Sequence, residues 1–158
     1  MKTGPPQLRP FGLVLRYDGE WRHEGQPIRN RRLREHFDRS VRFLPDEGED
    51  GKYVVTLGRF RGEIEVEEAG FFVRDLDLGR ARVRLSDGSE DVLEVESLET
   101  SAIDGALLVR VKRGLRAQGL RARLSHAAQA ELMNAVGEAD GRFVVRVGRR
   151  WRPLPPLE

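Results

Sequence analysis

Residues 50–59 read Asp-Gly-Lys-Tyr-Val-Val-Thr-Leu-Gly-Arg, and residues 140–149 read Asp-Gly-Arg-Phe-Val-Val-Arg-Val-Gly-Arg. Six of the ten positions are identical, and three of the others are like-for-like exchanges. Each copy follows the end of a predicted helix after a short acidic loop. We interpret the pair as a duplicated helix-then-strand unit. The alternative is chance, because aromatic and β-branched residues are common in any hairpin strand.

Asp-Gly pairs recur along the whole chain and predict its turns. Aspartate and glycine both tolerate a positive φ, so an Asp-Gly pair between apolar segments is a strong signal for a β-hairpin. The chain has five of these pairs: Asp18-Gly19, Asp50-Gly51, Asp87-Gly88, Asp104-Gly105 and Asp140-Gly141. The strands predicted around them cover residues 11–17, 20–23, 80–85, 92–95, 107–111, 120–124 and 143–147.

Two segments have the apolar spacing of helices. The first runs from about residue 31 to 44, with an apolar stripe on one side, and Pro45 ends it. The second runs from about 126 to 136, with Ser125 as its N-cap. The stripe residues are Leu33, Phe37, Val41 and Leu44 in the first helix, and Ala128, Leu132 and Val136 in the second.

These elements predict an α+β protein made of two structurally related halves. Each half combines antiparallel strands with one main helix. Because the two copies of the repeat lie 90 residues apart, we place the N-terminal half at residues 1–79 and the C-terminal half at 80–158.

Composition excludes several classes of protein. The chain has 158 residues and no cysteine, which excludes disulfides, thiolate zinc sites and thiol catalysis. No apolar run approaches the roughly 20 residues of a membrane span, so no membrane partner is expected. The first six residues lack the apolar core of a secretory signal, which favours a cytoplasmic location.

Charge favours a small anionic ligand over nucleic acid. The net charge is only +2, which argues against a dedicated nucleic-acid binder. Yet residues 105–130 hold six basic residues and no acidic one. Arginine, which suits phosphate and carboxylate groups, is far commoner than lysine in this chain. The basic residues of this stretch are Arg110, Lys112, Arg113, Arg116, Arg121 and Arg123.

The usual signatures of catalysis are missing from the sequence. His23, His36 and His126 show no metal-binding spacing. There is no Gly-x-Ser-x-Gly nucleophile elbow and no glycine-rich phosphate loop. We therefore predict a protein that is not an enzyme, without catalytic residues, metal ligands or a cofactor.

Two basic turns that each begin with a glycine are the local feature that most favours ligand binding. Residues 58–62 read Gly-Arg-Phe-Arg-Gly, and residues 148–152 read Gly-Arg-Arg-Trp-Arg at the repeat position. An arginine beside an aromatic residue can hold a phosphate while the ring stacks on a base. The alternative is an ordinary tight turn with solvated arginines.

The chain resembles an uncharacterised family of bacterial proteins known only as a domain of unknown function. The likeness extends over nearly all of the chain between residues 17 and 151. The residues that carry it are Asp18-Gly19-x-Trp21, Gly25-Gln-Pro27-Ile28, Leu33, Phe37, Gly51-x-Tyr53-Val-Val-Thr56, Ile64-x-Val66-Glu67-Glu68-Ala69-x-Phe71, Leu108-Val-Arg110, Gly114-Leu115, Arg123-Leu-Ser125 and Leu132. The resemblance implies a duplicated core, a pleckstrin-homology-like C-terminal half, and a nucleotide-like ligand between the halves with a role in signal transduction.

Together these observations predict a non-catalytic regulatory module that binds a small anionic ligand, such as a nucleotide, between its halves. Arg59, Arg110 and Arg123 would donate charge-assisted hydrogen bonds, and Thr56 would supply a hydroxyl. Trp21 or Trp151 would offer a stacking face. The alternative is a protein–protein interaction module without a small-molecule ligand.

Overall fold

The structure is a computed structural model that describes residues 8–157. The segment on which the expectation of no secretory signal rests lies outside the described residues. The chain divides into two compact units after Glu68. The repeat spacing predicts this junction after residue 79; the observed division is earlier because residues 71–77 pair with strands of the second unit.

From residue 8 onward, the first unit holds one six-stranded sheet and one helix. The strand order is β3-β2-β1-β6-β5-β4, in which β1 and β6 run parallel and all other neighbours are antiparallel. Its elements are β1 (Arg9–Leu15), β2 (Trp21–His23), β3 (Gln26–Pro27), α1 (Arg31–Ser40), β4 (Arg42–Leu44), β5 (Lys52–Leu57) and β6 (Phe60–Val66).

Helix α1 is shorter than its sequence pattern predicts. The side chain of Asn30 caps it by accepting a hydrogen bond from the Leu33 amide. The predicted helical stretch 41–44 is wrong, because Val41 is already extended and β4 follows it. Val41 and Phe43 are buried on either side of exposed Arg42, which is the alternation of a strand.

The second unit holds a six-stranded sheet, a three-stranded sheet and one helix. The larger sheet has the order β10-β11-β12-β7-β8-β9, with β7 and β12 parallel, and the smaller has the order β13-β14-β15. The elements are β7 (Phe71–Asp77), β8 (Arg82–Leu85), β9 (Glu90–Val92), a 3-10 turn (Val95–Ser97), β10 (Glu99–Thr100), β11 (Leu107–Val111), β12 (Leu120–Leu124), α2 (His126–Asn134), β13 (Val136–Ala139), β14 (Arg142–Val147) and β15 (Arg150–Pro153).

Two boundaries in the second unit differ from the sequence prediction. Helix α2 begins after Ser125, whose hydroxyl accepts from the Ala128 amide, but it ends at Asn134 and Val136 opens β13. The strand predicted over 92–95 is instead the end of β9 followed by the 3-10 turn. In both places the apolar residues lie at the end of a strand or in a turn. Apolar spacing alone does not distinguish these from the continuation of a helix or a strand.

The repeat occupies the same local structure in both units. In each, a helix leads to a strand, an Asp-Gly turn, a second strand, a Gly-Arg turn and a third strand. The pairing register is also conserved at an offset of 90 residues: Leu57 pairs with Phe60, and Val147 pairs with Arg150. The two related halves and the α+β class are therefore confirmed. A pleckstrin-homology-like C-terminal half stays a prediction.

All five Asp-Gly pairs connect antiparallel strands, as predicted. Within the described residues, no helix is both long enough and apolar enough to cross a membrane.

We predict that Gly51→Ala destabilises the protein more than Gly141→Ala. The two glycines are repeat equivalents with φ of +78° and +77°, so each alanine costs about 1–2 kcal/mol of left-handed strain. A Cβ at Gly51 would also lie 2.3 Å from Cζ of Phe43, whereas a Cβ at Gly141 meets nothing within 4 Å. Overpacking adds about 1–3 kcal/mol for Gly51→Ala only.

Urea unfolding followed by circular dichroism measures both variants. Equal losses in the free energy of unfolding would show that Phe43 moves aside freely.

Candidate functional site

Trp21 is a core residue of the first unit. Its ring has no exposed area and lies 5.3 Å from the Phe37 ring, centre to centre. Its Nε1–H donates to Oδ1 of Asp38 over 2.8 Å, which satisfies the one polar atom of the indole. A ligand cannot stack on a ring without exposed area, so the structure does not support a stacking role for Trp21.

Thr56 and Arg59 lie on the β5–β6 hairpin of the first unit. The Thr56 carbonyl accepts from Nε2–H of His36 over 2.7 Å, which ties α1 to β5. Arg59 is exposed in the turn, beside exposed Phe60. Because Leu57 pairs directly with Phe60, the ring of Phe60 lies on the opposite face from Thr56. The hairpin brings Thr56 and Arg59 near each other without an aromatic ring on the same face as Thr56.

Arg123 is committed to an internal ion pair in the second unit. Only 8% of the residue is exposed, and its Nη1 and Nη2 donate to the two carboxylate oxygens of Asp104 over 3.1 and 2.5 Å. The hydrogen bond from Arg123 is the largest cause that lowers the pKa of Asp104 to about 2. This bidentate pair fixes the Asp104-Gly105 turn against β12.

Arg110 lies on the same face of the larger sheet as Arg123. It shares its counter-ion, Glu99, with Arg121. It is directly opposite Arg121 in the β11–β12 pair. The Oε1 atom of Glu99 lies 3.2 Å from Nη2 of Arg110 and 3.2 Å from Nε of Arg121. Two guanidinium groups therefore contact one carboxylate oxygen.

A second charged cluster lies beside the β8–β9 hairpin and consists of Lys112, Asp87 and Ser89. The Nζ atom of Lys112 lies 2.9 Å from Oδ2 of Asp87 and 3.1 Å from Oγ of Ser89, and 4.9 Å from the centre of the Phe71 ring. Burial raises the pKa of Asp87, but hydrogen bonds from Ser89 and Lys112 outweigh it and hold that pKa below its ordinary value. The cluster fastens the hairpin to the end of β11.

Trp151 is the exposed tryptophan, and it lies across the outer face of the three-stranded sheet. The residue is 59% exposed. It pairs directly with Arg146, and a Cβ built on Gly137 would lie 3.8 Å from its Cζ3 atom. The indole therefore reaches from β15 across β14 to β13. We call the outer face formed by Gly137, Arg142, Val144, Arg146 and Trp151 the Trp151 platform.

The register explains why the platform faces outward. Directly paired residues and residues two apart along a strand share one face of a sheet. Arg146 and Arg142 therefore lie on the same side as Trp151, whereas Val145 and Val147 lie on the other side and are buried. One face of β14 anchors the sheet to the core of its unit, and the other presents the indole and two arginines.

The arginines around Trp151 are unlike those of the larger sheet. Among the described residues, the guanidinium groups of Arg142 and Arg146 make no hydrogen bond or ion pair, and the same holds for Arg149 in the adjoining turn and Arg150 at the start of β15. Their charge is available to a ligand, because no carboxylate of residues 8–157 neutralises it.

A groove of about 1080 Å³ lies at one end of the same three-stranded sheet. Its lining is mainly apolar and includes Met133 of α2, Val136 of β13, and exposed Phe143 of β14. The extended residues that follow β15 form its edge, where the Leu154 amide donates to the Phe143 carbonyl.

The part of the chain that the structure describes holds no group of three or more His, Asp or Glu side chains placed to bind a metal ion. The arrangement of the Trp151 platform can bind and orient a ligand. Guanidinium groups donate hydrogen bonds but do not lose their proton in proteins, and an indole offers a π-face and one N–H donor.

Two solved structures share this fold. A DUF1285 family protein from Silicibacter pomeroyi DSS-3 has a TM-score of 0.63 and 21% identity, with 96% of this chain and 83% of that chain covered. A DUF1285 family protein from Shewanella baltica OS155 has a TM-score of 0.50 and 17% identity, with 79% of this chain and 91% of that chain covered. No family model and no curated protein matches the chain. Its structural neighbours are thus uncharacterised proteins, and at these identities the likeness shows the fold.

Sequence reasoning singled out Trp151 but missed its partners. Arg142 and Arg146 alternate with Val144 in β14, and this pattern places both arginines on one strand face. The two-residue turn after Val147 then sets Trp151 opposite Arg146. The role of Gly137 has no local signal, because it depends on an indole two strands away.

We predict that Asp104→Asn destabilises the protein at neutral pH and that the difference disappears in acid. The pKa of Asp104 is about 2 in the folded protein and about 3.9 in an unfolded chain. A lowered pKa stabilises the folded state above pH 4, and this contribution is lost as the pH falls from about 4 to about 2.

Urea midpoints of the wild type and of Asp104→Asn, measured at intervals from pH 7 to pH 2, test this. A constant difference in midpoint across that range would show that the negative charge of Asp104 does not contribute to the stability of the folded protein.

Proposed function

We propose that this protein is a cytoplasmic, non-catalytic regulatory module that binds a small anionic ligand with a planar ring, of the nucleotide class, on the Trp151 platform. We also propose that it is a distant member of the DUF1285 group, with a role in signal transduction. The observation that carries the proposal is a solvent-exposed indole directly opposite Arg146, an arginine without a carboxylate partner among the described residues.

Stacking is the first contribution to binding. The indole lies along the sheet with Gly137 beneath one edge, so its outer face is open to a planar group. Stacking of a base on an aromatic side chain contributes about 1–3 kcal/mol. Since 1.4 kcal/mol is a factor of ten in affinity, loss of the indole weakens binding about five- to 140-fold.

Charge is the second contribution. Arg146 is on the strand next to Trp151, and Arg142 lies four residues farther along the same face, roughly 13 Å away at 3.3 Å per residue. A nucleotide whose base stacks on Trp151 can therefore direct its phosphates toward either guanidinium. Hydrogen bonds between guanidinium and phosphate are charge-assisted and often bidentate.

The platform supports a binding role more than a catalytic one. Neither the indole nor the guanidinium groups can act as a base or a nucleophile at neutral pH. The sequence prediction puts the ligand between the two halves, with Thr56, Arg59, Arg110 and Arg123 among its contacts. Our proposal needs only residues of the second unit.

We predict that ATP quenches the emission of Trp151 and that Arg146→Ala weakens ATP binding at least about tenfold. The chain has two tryptophans, and Trp21 is fully buried, so quenching by a ligand in solution reports Trp151. The matched control is Arg34→Ala, which removes from α1 of the first unit an exposed arginine that has no ion-pair partner among residues 8–157.

The ATP affinity of Arg34→Ala should equal that of the wild type. An ATP-induced rise in melting temperature that is as large in Trp151→Ala as in the wild type would overturn the proposal, as would equal ATP affinities of Arg146→Ala and the wild type. Either result favours the alternative, a protein–protein interaction module, for which the apolar groove at Met133 and Phe143 is the feature to test next.

We further predict that Gly137→Val weakens ATP binding while every arginine remains. A single Cβ at this position would lie at ordinary contact distance from the indole, but the two methyl groups of valine would occupy the space where its edge rests. Valine suits a strand, so β13 is retained. Gly137→Ala is the matched control and should bind ATP as the wild type does; equal affinities for all three proteins would show that the indole position is not set by Gly137.

A further inference from the structure

A like-charge pair on the larger sheet of the second unit stands apart from the Trp151 platform. Arg110 of β11 and Arg121 of β12 are directly opposite each other, so their Cβ atoms are about 5 Å apart. Like charges in directly opposed positions destabilise a sheet. Glu99 of the neighbouring β10 is their shared carboxylate, through one oxygen at 3.2 Å from each guanidinium.

Nearby carboxylates are already paired with other cations. Asp104 accepts both hydrogen bonds of Arg123, Glu94 pairs with Arg113 at 2.5 Å, and Asp87 pairs with Lys112. Glu99 can neutralise one of its two guanidinium groups. Among the described residues the pair therefore retains one positive charge without a carboxylate.

The pair is held on a rigid surface. The opposite face of β11 and β12 is buried along its whole length, with Val109, Val111, Leu120 and Ala122 in the core. The Arg110 amide donates to Oγ of Ser97 over 2.9 Å, which fixes the strand at the position of the pair. Binding costs less when the groups that contact a ligand are already ordered.

Solvent ions can reach the pair. The side chains of Arg110, Arg121 and Glu99 are 27%, 42% and 35% exposed. Salt screens a partly buried charge less than a fully exposed one, so the excess positive charge attracts a counter-ion more strongly.

We infer that Arg110 and Arg121 form a binding site for a small oxyanion, a phosphate or a carboxylate group, with Glu99 as the internal counter-ion that the anion joins. Two adjacent guanidinium groups match the spaced oxygens of such an anion by paired hydrogen bonds. The site is independent of the Trp151 platform: it has no aromatic ring and it requires no base on its ligand.

Thermal melting in inorganic phosphate tests the site, with sodium chloride at equal ionic strength as the reference. The wild type should melt several degrees higher in tens of millimolar phosphate than in chloride, because a ligand that binds only the folded state raises its stability. A parallel series in acetate distinguishes phosphate from carboxylate as the group that is preferred.

The informative variants are Arg121→Ala and Glu99→Gln, with Arg84→Ala as the control. Arg121→Ala should lose most of the phosphate-specific shift. Arg84 is also a strand arginine of the second unit, but it pairs with Asp75, so Arg84→Ala should keep the full shift. Glu99→Gln should melt lower than the wild type in chloride and show a larger phosphate shift, because it leaves both guanidinium groups for the anion.

A purely structural role for Glu99 predicts a loss of stability without a larger phosphate shift, so an unchanged shift in Glu99→Gln would overturn the inference. A full phosphate shift in Arg121→Ala, or none in the wild type, would do the same. These outcomes leave the ATP experiment unaffected, since that experiment follows the emission of Trp151 and the variant Arg146→Ala.

Discussion

The pairing register of the two repeated hairpins is the constraint on which the candidate site depends. A two-residue turn fixes each register, and a slip by one residue would move every side chain to the opposite face of its sheet. In β14–β15 the register sets Trp151 opposite Arg146, with Val145 and Val147 in the core. In β5–β6 the same register sets Phe60 opposite Leu57, so the aromatic ring lies on the face opposite to that of Thr56. The duplicated backbone therefore carries two different surfaces.

Carboxylate partners decide what each arginine does. Arg123 looks like a ligand-binding residue in the sequence, but its nearly buried guanidinium donates to both carboxylate oxygens of Asp104. Arg146 has no such partner among the described residues and stands beside an exposed ring. Arg110 and Arg121 are intermediate, since they share Glu99. The number of basic residues in a segment does not show which of them are neutralised, because the carboxylates that pair with them come from elsewhere in the chain.

The turns, most strands and the start of each helix could be predicted because their signals are local. Asp-Gly pairs mark the hairpins, alternation marks β11 and β12, and Asn30 and Ser125 cap the helices. The end of α1 could not, since Val41 continues the helical spacing while its neighbours pair with β5. The burial of Trp21 was equally hidden, because it depends on Phe37 and Asp38 of a helix that follows it in the chain.

The sequence by itself determined that the protein has α+β architecture, a duplicated helix-and-hairpin unit and an excess of arginine, because each of these follows from spacing and composition within short segments. Only the tertiary structure decided which tryptophan is exposed, which arginines lack a carboxylate partner in the described part of the chain, and that Gly137 leaves room for an indole two strands away. These features depend on contacts between residues far apart in the chain, and a single sequence does not show which distant residues meet.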